Sequence, residues 1–142
     1  MSMQAMLMPV FAQVALTFAL LFWMSFLRIQ AIRQGKVAPH TIALREPNWP
    51  PRATQISNAY HNQLETPLLF YVLILLALET RTADSILLVL SWLFVVSRFV
   101  HAYIHITSNR IARRGPVFLV GAIGLALMWI IVAARLTIAS SG

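Results

Sequence analysis

Seven polar residues recur at helical spacing inside otherwise apolar sequence, and their types suit the capture of a small charged molecule. Asn58, His61, Asn62 and Glu65 stand at offsets 0, 3, 4 and 7, which is one face of a helix. Arg98, His101 and His105 stand at offsets 0, 3 and 7, again one face. Polar groups inside apolar spans are costly and mark ligand pathways or internal pairs. A guanidinium such as that of Arg98 grips a carboxylate or phosphate through two parallel hydrogen bonds. Asn62 offers a donor and an acceptor to an amide, and Glu65 can receive an ammonium. Arg110, Arg113 and Arg114 follow close behind the second stripe. The whole set suits a small zwitterion with carboxylates and an amine.

Other uses of these residues compete. Glu65 and Arg98 could form a structural ion pair, with Asn and His as interhelical glue. Glue needs only one or two contacts, whereas two facing stripes opening toward one membrane side describe a polar cleft. The cluster Arg110, Arg113 and Arg114 could simply set membrane orientation. His61 with Glu65, and His101 with His105, also stand four residues apart and could ligate a metal. That spacing alone is unspecific, and Arg98 would repel the ion, so no residue is assigned to a metal.

The elements that must position these residues follow from composition. The chain has 142 residues, 59% hydrophobic and only 11% charged, with a mean hydropathy of +0.75. Soluble domains carry about 25% charged residues. Disorder, a coiled coil and an ordinary soluble enzyme are therefore excluded. Eleven Lys and Arg against four Asp and Glu give a net charge of +7. There is too little polar surface for nucleic-acid binding, and cations at a cytoplasmic membrane face explain the excess. The absence of cysteine removes disulfides, Cys-based metal sites and a protein thiol nucleophile.

Crossing a bilayer takes about 20 mostly apolar residues. Four segments qualify: about residues 6–29, 59–78, 84–106 and 116–138. They leave little room for anything else, so residues 1–142 are expected to form a single all-α domain, an integral-membrane four-helix bundle. The first segment lacks a basic leader and is too long for a signal peptide, so it is expected to be retained. Residues 34–55 form a long loop in which Pro50-Pro51 excludes helix. The hinge near residues 79–84 is short, and residues 107–115 link spans three and four.

The first loop and its flanks carry Arg28, Arg33, Lys36, Arg45 and Arg52, and the third carries Arg110, Arg113 and Arg114. The hinge carries only Arg81, and Arg135 is a minor counter-signal. Loops one and three share a side, expected to be cytoplasmic, which leaves both termini outside. Glu65 and Arg98 then lie at one depth, ~13–15 Å in from that side, and are expected to pair.

At these residues the chain resembles the MAPEG superfamily, the membrane-associated proteins of eicosanoid and glutathione metabolism, and within it the prokaryotic type. The resemblance lies in N-x-x-E-x-P, present as Asn62-Gln63-Leu64-Glu65-Thr66-Pro67, and R-x-x-H, present as Arg98-Phe99-Val100-His101. A basic loop with Asn109-Arg110 and Arg114-Gly115 follows. The resemblance covers nearly the whole chain. It implies a homotrimer in the bilayer, a bacterial inner membrane, with glutathione bound between subunits near the cytoplasmic side. Asn62 and Glu65 match the residues that hold the glutathione peptide and amine. Arg98 and His101 match third-span polar positions. Arg114, or Arg110 with a shifted loop, matches the arginine that stabilises the thiolate. Arg28 or Arg33 matches the arginine ending span one. Many glutathione-using members carry arginines where Asn58 and His61 stand, and His105 fills a tyrosine position.

The implied chemistry is thiolate addition to a lipophilic electrophile arriving from the bilayer, with His105 or His101 assisting protonation. The family also includes a non-enzymatic lipid binder, so a non-catalytic lipid- or partner-binding protein is the alternative. A small proton-coupled transporter is a further alternative, but the first span has no ionisable residue before Arg28.

Overall fold

A computed structural model describes residues 2–44 and 47–140, with side chains as far as residue 138. Arg45, one of the cations counted toward the first loop, lies outside the described residues. The described chain is helical: α1 (Met3–Arg33), a 3-10 turn (Pro39–Thr41), α2 (Pro51–His61), α3 (Thr66–Glu79), α4 (Ser85–Ile106) and α5 (Ile111–Ser140). Four spans are long and apolar enough to cross a membrane: Met3–Arg33, Pro51–Glu79, Ser85–Ile106 and Ile111–Ile138. The protein is an all-helical, multi-pass membrane protein.

The helix ends explain where the expected boundaries move. Ser2 caps α1, its Oγ accepting from the Ala5 amide at 3.2 Å. Gly35, at φ +66, closes the other end, with Gly35 N bonded to the Ile32 carbonyl and Lys36 N to that of Ala31. Pro50 and Pro51 do not exclude helix. Pro50 precedes α2 and Pro51 opens it, where a missing N–H costs nothing. The loop therefore ends at Pro50 rather than Gln55. Asp84 caps α4 through the Leu87 amide at 3.0 Å. The link between α4 and α5 is only residues 107–110, so Arg113 and Arg114 lie on the first turn of α5 rather than in a loop.

The largest correction concerns the second span. It is two helices separated by a break at residues 62–65. Pro67 supplies the reason: it has no N–H for the Gln63 carbonyl, and its ring crowds that carbonyl. Asn58, His61, Asn62 and Glu65 therefore do not form one continuous helical face.

The core divides along the bundle. Toward the 80–84 hinge it is apolar except for Ser91, whose hydroxyl bonds back to the Leu87 carbonyl, with Met6, Phe70, Ala77, Leu87, Phe94 and Val132 among its members. Phe70 of α3 stacks on Phe94 of α4 at 4.8 Å. Toward the other end is a small cluster of Leu20, Ala59 and Ala102. Between the two clusters lie the buried polar residues Gln13, Gln63 and Arg98. α4 and α5 pack most extensively. Gly121 permits this, because a Cβ there would stand 2.3 Å from Ser97 Oγ.

Candidate functional site

The break in span two exposes main-chain groups inside the bundle, and α4 answers them. Arg98 is 1% exposed. Its Nη2 donates to the Asn62 carbonyl at 2.8 Å. A cation at the C-terminal end of α2 also meets the negative end of its dipole. The expected Glu65–Arg98 ion pair is not formed. Among the described residues the one ion pair is Arg135–Asp84, at the opposite end. Arg98 is consumed by the backbone because the break frees a carbonyl nearer to it than the Glu65 side chain, which turns outward and is exposed. The guanidinium also lies over the Phe118 ring of α5 at 5.6 Å.

Two further contacts tie α2 to α4. Gln55 Nε2 donates to the His105 carbonyl at 2.7 Å, and Arg52 Nη1 donates to the Ile106 carbonyl. These satisfy the open C-terminal carbonyls of α4. They also place the first loop and the 107–110 link at one end of the bundle. Asn62 Nδ2 donates to the Asn58 carbonyl at 3.1 Å and lies 3.4 Å from His105 Nδ1.

The result is a cleft of about 230 Å³ between the break, α4 and the start of α5. Asn62, Glu65, His101 and Arg114 line it, with Phe118 and Ile111 as apolar wall. His101 is buried, and its Nδ1 has no protein partner. Arg114 is held by one bond, Nη1 to Asn109 Oδ1 at 2.9 Å, leaving its remaining donors free for a ligand. The cleft thus offers a carboxylate, a guanidinium, an amide and an imidazole.

The other expected residues fall elsewhere. Arg28 and His61 line a second cleft of about 420 Å³ with Trp49 and Ile42. There Arg28 Nη2 donates to Ser57 Oγ at 2.9 Å, and the guanidinium carbon lies 4.8 Å from the Trp49 ring centre. His61 Nδ1 donates to the Ser57 carbonyl at 2.7 Å. Arg33 sits on an outer groove with Phe26 and Ile29. Asn58 is exposed. Arg110 is exposed, and its carbonyl accepts from the Arg113 and Arg114 amides at the start of α5. His105 is buried behind the first cleft. No group of three or more potential metal ligands occurs among the described residues.

Phe118, Trp49 and Ser57 are functional neighbours that sequence reasoning misses, since an aromatic or serine of this kind carries no signal of its own. Gln13 and Gln63 do carry a signal of their own, since an amide deep in a span is as costly as the residues of the two polar stripes.

Residues 6–134 match the profile described as the MAPEG family. The chain belongs to the MAPEG family. No curated protein and no solved structure matches it significantly. The matched region contains both the Asn62–Glu65 motif and Arg98-x-x-His101.

Proposed function

We propose that this MAPEG protein is a glutathione-dependent transferase that adds a thiolate to a lipophilic electrophile. One observation carries the reading: Asn62, Glu65, His101 and Arg114, brought from three elements, line one cleft. The donor set fits a tripeptide zwitterion. Glu65 receives the ammonium, and the Asn62 amide pairs with the peptide. When bound, glutathione supplies the sulfur nucleophile. Arg114 holds negative charge at the sulfur and so favours the ionised thiol. His101, with a free Nδ1, holds or returns a proton. Phe118 and Ile111 form the apolar wall against which the electrophile rests.

A cleft of about 230 Å³ is smaller than the ~300 Å³ typical of small-molecule sites. The second cleft, with Arg28 and His61, flanks the other side of the end of α2. One chain thus presents two separate clefts, which a homotrimer would join. The end carrying both clefts faces the cytoplasm, because Arg28, Arg33, Lys36, Arg52, Arg110, Arg113 and Arg114 gather there.

The experiment is the ultraviolet band of bound glutathione thiolate in detergent-purified protein. Arg114→Ala should abolish the band, and Arg110→Ala should leave it. Absence of both the band and calorimetric binding at millimolar glutathione rejects the transferase and leaves a non-catalytic lipid- or partner-binding protein.

A further inference from the structure

A second pair of polar residues supports the break from the side opposite Arg98. Gln13 of α1 is 0% exposed and Gln63, inside the break, is 1% exposed. Gln13 Nε2 donates to Gln63 Oε1 at 3.0 Å. Gln63 Nε2 in turn donates to the Ala59 carbonyl at 3.1 Å. That carbonyl needs a partner because the chain tightens there. Gln63 N bonds to Tyr60 O at 2.8 Å and Leu64 N to His61 O at 2.9 Å, both three residues back instead of four. The Gln63 side chain thus replaces the main-chain donor that the break takes away. Its own oxygen is then satisfied only by reaching across to α1.

We infer that Gln13 and Gln63 are positioning residues, which fix the break in span two so that Asn62 and Glu65 face the cleft. Arg98 fixes the Asn62 carbonyl from α4, and Gln13 fixes the neighbouring residue from α1. Residues 62–64 keep only the last four-residue bond of α2, Asn62 N to Asn58 O, and two tighter turns behind it, so these two side-chain anchors complete what sets where Asn62 and Glu65 stand. Neither glutamine lines the cleft. An unpaired amide in a dry interior is expensive, so each holds its partner in a single arrangement.

The inference rests on the glutathione reading for its binding readout alone. The test combines Gln13→Leu and the milder Gln13→Met with two measurements. Amide hydrogen exchange at residues 62–65 should rise about tenfold, with α5 unchanged. Glutathione affinity should fall by about the same factor, while the thiolate band at saturation keeps its wild-type intensity because Arg114 is untouched. A lowered melting temperature with unchanged exchange at 62–65 and unchanged affinity would reduce the pair to a structural contact and overturn the inference. In wild-type protein the Gln63 side-chain amide protons should exchange slowly by NMR, and fast exchange overturns it without any variant. A wild-type chain that binds no glutathione rejects the transferase, and the exchange data still decide the positioning.

Discussion

Arg98 on α4 donates to the main-chain carbonyl of Asn62 at 2.8 Å, so the buried guanidinium serves the broken backbone of span two rather than the Glu65 carboxylate. This leaves Glu65 unpaired by protein cations and available at the cleft. The same contact gives the arginine a partner in an apolar bundle, where a lone guanidinium is costly.

Arg98→Leu should destabilise the protein by about 2 kcal/mol, because the Asn62 carbonyl loses a charged donor inside the bundle. Thermal unfolding in detergent reads the loss. Glu65→Gln should leave the melting temperature within experimental error, since Glu65 forms no ion pair. Equal destabilisation by both variants would mean that the two side chains pair after all.

Gly121→Ala should loosen α4 from α5 by about 1–3 kcal/mol, since its Cβ would meet Ser97 Oγ at 2.3 Å. Ser97 Oγ is not free to turn away without leaving the Phe94 carbonyl, 2.6 Å distant. Removing the hydroxyl with Ser97→Ala should therefore rescue much of the loss. Gly124→Ala, with nothing within 4 Å of its Cβ, should be tolerated. Unfolding midpoints of the four proteins decide the matter.

Asn109 has φ 50 and also holds Arg114 Nη1 at 2.9 Å. Asn109→Gly keeps the backbone geometry and frees Arg114, so glutathione affinity should fall several-fold with little change in stability. Asn109→Ala should lose affinity and also ~1 kcal/mol or more of stability, from the strained φ. Calorimetric binding beside thermal melts separates the two effects.

At the far end of the bundle, Arg135 Nη2 lies 2.6 Å from Asp84 Oδ2, and Arg135 Nη1 donates to the Thr82 carbonyl at 2.8 Å. The Arg135 hydrogen bond holds the Asp84 carboxyl below the usual carboxylate range, and the Leu87 amide adds to this. A lowered folded pKa means that the pair stabilises above the ordinary value of about 3.9 and is lost as pH falls through the folded value. Asp84 is 39% exposed at its side chain, so solvent limits the gain to under ~1 kcal/mol. Asp84→Asn, which retains the helix cap, should melt slightly lower at neutral pH. The difference should vanish once the pH has fallen through the lowered folded value of Asp84. A difference that persists in acid would assign the effect to the cap instead.

The four spans and the end of the bundle that gathers the cations were legible in the sequence, because apolar run length and cation placement are local properties that the bilayer acts on directly. The break in span two was legible too, in Pro67, but a periodic reading of Asn58, His61, Asn62 and Glu65 runs through it. Periodicity assumes an unbroken helix, and a single missing N–H ends it. That Arg113 and Arg114 belong to α5 turns on how far the helix extends past Pro116 toward its start, and apolar run length does not report this.

Partners lay beyond the sequence altogether. Depth along the bilayer places Glu65 and Arg98 level, but which acceptor Arg98 takes depends on the carbonyls freed by the break and on the approach of α4. Spacing groups His61 with Asn62 and Glu65, yet the turn at the end of α2 leaves His61 in a second cleft beside Arg28 of α1. Gln13 and Gln63 are 50 positions apart and meet only because α1 packs against the break. Composition and spacing determine which polar groups enter the membrane. Only the tertiary structure decides how they pair, because a buried donor takes the nearest well-aligned acceptor, and proximity is a property of packed helices.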